Sequence, residues 1–205
     1  NSNEGSGLYE KTQHLRQKLT SHGLNKPFII TEAGWHSNSA PNHESNEEIQ
    51  ARYVVQLFTQ SLAGDIDTMI WWMLNDPNDG SWDNGLVTAD NLPRRKQSFF
   101  TYQTLVNRMT HKEFVRALPA AETGRPTIEA YQFRDLLTGA IQYIAWLNPV
   151  TTPNSATLSL SAEEVRRVSH LGASLGIIPD EADGVNDGRV TVPVSADPVY
   201  IEVIR

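Results

Sequence analysis

Two short apolar runs, each preceded by a helical pattern and followed by a polar loop, decide what the first half of this chain can build. The first is Lys26-Pro27-Phe28-Ile29-Ile30-Thr31-Glu32-Ala33-Gly34-Trp35. Its proline opens the run without needing a ladder hydrogen bond, and Phe28, Ile29 and Ile30 form the unbroken apolar stripe of a parallel strand buried on both faces. Period-two alternation puts Phe28, Ile30 and Glu32 on one face and leaves Glu32 at the strand's carboxyl end. The second run, residues 66–74, contains Trp71 and Trp72 and passes into an Asp-, Asn- and Gly-rich loop over residues 75–93. Helical spacing links Leu8, Leu15 and Leu19, with Ser6 as the cap and Gly23 as the stop. A capping box of Ser45 and Glu48 starts a second helix with stripes Ile49, Tyr53, Leu57 and Val54, Phe58, Leu62, ended by Gly64. Phe99, Tyr102, Leu105, Val106 and Met109 mark a third. Helix, strand, helix, strand, helix is the alternation of a parallel sheet with an outer helical layer.

After residue 110 the pattern changes to short alternating strands at 114–118, 127–133, 140–147, 156–160, 165–170, 188–194 and 199–204. Asp-Gly and Asn-Pro turn signals separate them, which predicts an antiparallel β-sandwich of about seven strands. The expected division is therefore an α/β part over residues 1–110 and an all-β part over 111–205.

A net charge of -7 and a pI near 5.3 provide no basic field for phosphates, so nucleic acid is not expected as a partner, whereas a neutral ligand such as a sugar suits the balance. The absence of cysteine excludes a disulfide framework, a thiolate zinc site and a cysteine nucleophile. No run approaches the length of a membrane span, so no membrane is expected as a partner. The opening Asn1-Ser2-Asn3-Glu4-Gly5 has no initiator Met and does not read as a signal peptide. The chain is expected to be a piece of a longer protein, secreted or otherwise extracytoplasmic.

The stretch Thr31-Glu32-Ala33-Gly34-Trp35, the run Ile70-Trp71-Trp72-Met73-Leu74, the turn Asn84-Gly85-Leu86-Val87 and the helix that begins near Phe99 together resemble the C-terminal part of a clan GH-A glycoside hydrolase. The resemblance implies that residues 8–109 are the last quarter of a TIM (β/α)8 barrel, strands seven and eight with flanking helices. It also implies that the following sandwich, ending Pro198-Val199-Tyr200-Ile201-Glu202, is an accessory domain. Glu32 then stands at the end of strand seven, the position of the catalytic nucleophile. Trp72 stands at the end of strand eight as an aromatic floor under the sugar, while Trp71, pointing the other way, packs in the core. Trp35, His36, Asp76 and Trp82, in the strand-end loops, are further candidates for substrate binding. A retaining enzyme of this kind needs two carboxyl groups about 5–5.5 Å apart, one to attack the anomeric carbon and one to protonate the leaving oxygen.

The chain departs from the family pattern at the second carboxyl. The acid/base is a Glu after Asn at the end of strand four, and Asn-Glu occurs here at Asn3-Glu4 and Asn46-Glu47, neither after an apolar strand. The expectation is that the acid/base and strands one to six come from an N-terminal barrel segment, in the same parent protein or a second chain, and that this chain alone is inactive. Cofactors are not expected, nor is a metal. The spacing of Asp76, Asn78, Asp79 and Asp83 lacks the register of a calcium loop, and turn chemistry accounts for Asp180, Asp183 and Asp187. His36 is expected to meet a sugar hydroxyl or Glu32, or to be solvated, and Arg94, Arg95 and Lys96 read as a solvated face. No nucleophile elbow and no Gly-rich phosphate loop is present. The competing class is a non-catalytic carbohydrate-binding or structural module.

Overall fold

The computed structural model describes residues 5–39 and 43–205, so the Asn3-Glu4 pair and three residues of the 36–43 loop lie outside it. Two compact units divide the chain, Asn1–Tyr102 and Gln103–Arg205. The first contains α1 (Leu8–Ser21), β1 (Ile29–Ala33), α2 (Glu47–Ala63), β2 (Thr68–Trp71) and the start of α3 (Gln97–Met109). β1 and β2 pair in parallel, Ile29 opposite Thr68 and Ile30 opposite Met69. The second strand stops at Trp71, so residues 72–74, read as strand from their apolar character, begin the loop. The peptide between Trp72 and Met73 is cis. Burial on both faces does not hold: Ile29 is 61% and Ile70 49% exposed. The reason is that, among the described residues, no third strand pairs with this sheet.

Both expected helix caps are replaced. At α2 the cap is Asn46, whose side chain accepts from the Ile49 amide at 2.9 Å, and Ser45 is turned away to the His36 carbonyl. At α1 the cap position is Gly7, in the left-handed region at φ 56, with no cap bond from its own side. The orphan amides of the first turn are instead met from α2, where Gln60 Oε1 accepts from Leu8 N at 2.8 Å. On α1 the buried side is marked by Thr12, and Leu15 is exposed, because the helix lies against α2 with Thr12 on Gly64, where a Cβ would come within 3.1 Å of the Thr12 methyl. α2 is buried on nearly all sides and carries Gln50, Gln56 and Gln60 inward, so its glutamines have to find partners.

The second unit holds β3 (Lys112–Ala117), α4 (Ala120–Thr123), β4 (Ile128–Asp135), β5 (Ile141–Leu147), β6 (Ser155–Ser161), β7 (Glu164–Ser169), β8 (Ser174–Pro179), β9 (Arg189–Ser195) and β10 (Val199–Val203). Six strands form one antiparallel sheet in the order β3-β4-β5-β10-β7-β8, and β6 pairs with β9 in a second. One core lies between them, with Ile128, Tyr143, Val165 and Ile201 from the larger sheet and Leu158, Leu160, Val190 and Val192 from the smaller. The larger sheet is buried on its other face too, through Tyr131, Phe133, Ile144, Trp146 and Tyr200, with Met109 at the end of α3 lying on Gln142. β8 was not expected from the sequence. It pairs on one side alone, carries Gly176 at φ 86 and leaves Leu175 and Ile177 exposed, so no alternation of buried positions marks it.

Candidate functional site

The carboxyl ends of β1 and β2 carry the candidate site. From Ile30 to Ala33 the first strand advances three residues while its partner advances two, from Met69 to Trp71. One extra residue is therefore inserted at Thr31-Glu32, a bulge of the kind that re-aims a side chain and ends strict alternation. The expectation that Glu32 shares a face with Phe28 and Ile30 fails there, and Glu32 is exposed. Beyond it the backbone closes again, with Trp72 N donating to Ala33 O at 2.8 Å. Gly34 is required at this point, because a Cβ would sit 2.3 Å from the Trp72 carbonyl oxygen. The two tryptophans divide as alternation predicts. Trp71 is 8% exposed, its indole donating to Asn84 O at 3.0 Å, and Trp72 is 45% exposed.

Behind this rim lies a buried polar network. Lys96 Nζ donates to Asp76 Oδ1 at 2.6 Å, to Ser37 Oγ at 2.8 Å and to Asp83 O at 3.2 Å. Three acceptors meet the three donors of a lysine ammonium whose side chain is 2% exposed. Lys96 thus departs from the solvated face expected of it, while Arg94 meets that description better, pairing at the surface with Glu47 and holding that carboxyl below its usual range. Asp76 is corrected as well. Its side chain is 7% exposed, with Oδ1 also accepting from Gly85 N at 2.7 Å, so it is engaged inside this network. Gln50 completes the network: its Nε2 donates to the carbonyls of Trp35, Asp83 and Gly85, and its Oε1 accepts from Ser98.

The remaining candidates gather in an aromatic cluster. Trp35 stacks on Tyr53 at 3.9 Å between centroids, His36 lies 4.2 Å from Trp82, and His43 packs edge-on to Trp82 at 5.6 Å. His36 meets neither Glu32 nor solvent. It is buried, and Nδ1–H donates to Asn38 O at 2.5 Å, which fixes the tautomer. Burial, aided by His43, lowers its pKa against the opposing effects of the Asn38 carbonyl and Asp83. Burial, then Asp76, raises the Asp83 carboxyl, and burial pushes Tyr53 up to about 12. Trp82 remains exposed at the rim. Among the described residues no group of three His, Asp or Glu is placed to hold a metal ion, and no helix is long and apolar enough to cross a membrane.

An exposed carboxylate and an exposed indole thus stand at the ends of neighbouring strands, on backbone that Gly34 holds in close contact. A flat indole suits the C–H face of a pyranose, and an exposed carboxylate suits attack on a ring carbon. Gln50 was not singled out from the sequence, Lys96 was read as part of a solvated face, and Asn46 was considered only in the Asn46-Glu47 pair. The available signal was a glutamine set among the apolar stripes of a helix otherwise expected to be buried.

No protein-family model and no curated protein sequence matches the chain. Solved structures do match in fold. A family 39 glycoside hydrolase from the gut symbiont Bacteroides cellulosilyticus WH2 is similar at a TM-score of 0.67 and 18% identity, over 96% of this chain and 37% of that one. CelM2, a bifunctional glucanase-xylanase from a metagenome library, gives 0.58 at 10% identity, over 94% of this chain and 34% of that one. A GH51 α-L-arabinofuranosidase from Thermotoga petrophila RKU-1 gives 0.55 at 11% identity, over 97% of this chain and 49% of that one. The chain therefore shares its fold with part of each of these enzymes and spans between a third and a half of their length.

Proposed function

We propose that this chain is the C-terminal portion of a retaining glycoside hydrolase that cleaves O-glycosidic bonds of a poly- or oligosaccharide. β1 and β2 are strands seven and eight of its barrel. The observation that carries this reading is the exposed Glu32 in a bulge at the carboxyl end of β1, on a strand end hydrogen-bonded to the backbone of the exposed Trp72. In the first step the Glu32 carboxylate attacks the anomeric carbon, the bond to the leaving oxygen breaks, and a second carboxyl protonates that oxygen. In the second step, water attacks the same carbon, gives its proton to the second carboxylate and releases Glu32. The second carboxyl is supplied with strands one to six by an N-terminal barrel segment, and this chain alone is inactive. Trp72 floors the sugar. Trp35 and Trp82 shape the rim of the cleft, and His36 and Asp76 act behind it.

The test is Glu32→Gln in the protein that includes the N-terminal segment, assayed on an activated aryl glycoside. Turnover is expected to fall to background, and added azide to restore product release as a glycosyl azide of inverted configuration. Unchanged turnover would remove Glu32 from the mechanism, and absence of turnover in the unmutated protein would favour a non-catalytic carbohydrate-binding module.

A further inference from the structure

One backbone oxygen in the β2 loop is unusually crowded. Asp83 O accepts from Ser37 N at 3.0 Å, and from Ser37 Oγ, Lys96 Nζ and Gln50 Nε2 at 3.2 Å each. These donors come from the loop that follows Glu32, from the residue before α3, and from α2. A carbonyl has two lone pairs, and Lys96 is the charged donor among the four, so it contributes the strongest single bond to the junction. Asp76 in turn fixes where the ammonium sits. Asn38 Oδ1 adds a reciprocal tie by accepting from Asp83 N at 3.0 Å. The Gly85 amide bonded to Asp76 leaves no freedom either: a Cβ there would be 2.2 Å from Asp76 N.

We infer that Lys96 and Asp76 are positioning residues for the proposed reaction: through the Asp83 carbonyl they hold the loops following Glu32 and Trp72 in one mutual geometry. The inference rests on the glycosidase reading above. Both side chains are buried, 2% and 7% exposed, so their effect on rate is exerted through the loops, and an error of about 1 Å in placement can cost about 100-fold.

The experiment separates positioning from stability. Lys96→Met leaves Asp76 buried without its partner and is expected to lower both Tm and kcat. In Lys96→Met/Asp76→Leu an apolar pair replaces the ion pair, an exchange that is often neutral or stabilising. Positioning predicts that this double variant regains the wild-type Tm while kcat stays about 10- to 100-fold low and KM changes less than about threefold. The Ser37 amide should exchange faster in deuterated water than in wild type. Recovery of kcat together with Tm would overturn the inference. Should the double variant fold poorly, Ser37→Ala removes one leg of the junction from a surface loop and decides: a reduced kcat at unchanged Tm supports positioning, and wild-type kcat overturns it. Glu32→Gln run in parallel keeps the two readings apart, since full activity in that variant defeats the reading of Glu32 as nucleophile whatever the Lys96 variants do.

Discussion

The pair Trp71 and Trp72 shows how one peptide step separates structure from function. Trp71 is enclosed and hydrogen-bonded through its indole nitrogen, so Trp71→Ala is expected to cost about 3–5 kcal/mol of stability, read as a fall in the denaturant midpoint. Trp72 has about half of its surface in water and little packing to lose. Trp72→Ala is expected to leave the midpoint near wild type and to raise KM for a glycoside substrate while lowering kcat/KM. If Trp71→Ala gave the binding loss and Trp72→Ala the unfolding, the assignment of faces would be reversed.

At the scale of the element, what matters is who satisfies the helix ends. α2 is started by Asn46, from which the Ile49 amide takes its acceptor, and the first turn carries Glu47 and Glu48 where the helix dipole favours negative charge. Asn46→Ala is expected to destabilise the protein by about 1 kcal/mol, and Ser45→Ala to leave the helix start intact while loosening the Trp35 and His36 contacts. Thermal unfolding followed by far-UV and near-UV circular dichroism distinguishes them. The first variant shifts both signals together and the second alters the aromatic signal. α1 depends on its neighbour, since Gln60 of α2 closes its first turn, so those two helices are expected to unfold as one unit.

For the molecule as a whole, the second unit has a closed core between two sheets, and the first has a parallel pair of strands with Ile29 and Ile70, and the loop after them with Trp72 and Leu74, exposed to water. Each large apolar side chain left exposed forgoes roughly 1.5–3 kcal/mol of burial, against a total stability of about 5–15 kcal/mol. These 205 residues in isolation are expected to self-associate. Addition of the N-terminal barrel segment proposed above should convert the associated species into a defined complex. Static light scattering and hydrogen exchange check this, and a monodisperse monomer with protected amides along both strands would point to a self-contained binding module.

Local chemistry sufficed for the helix, strand, helix, strand, helix order, for Gly23 and Gly64 at helix ends, and for the change to antiparallel strands after residue 110, because period and turn residues act within a few positions of one another. Glu32 and Trp72 also stood out, since strand-end position is a property of neighbours in sequence. The bulge that re-aims Glu32 is a relation between two strands, and nothing in Thr31-Glu32 announces an extra residue until Trp71 is opposite Ala33. The same holds for Lys96: in sequence it continues Arg94-Arg95, and its burial follows from the 2.6 Å contact with Asp76, twenty residues away, and with Ser37 beyond that. Charges read as solvated or as ligand-facing were assigned by composition, whereas desolvation depends on which partners the fold brings within hydrogen-bond distance, and that is settled by tertiary structure alone.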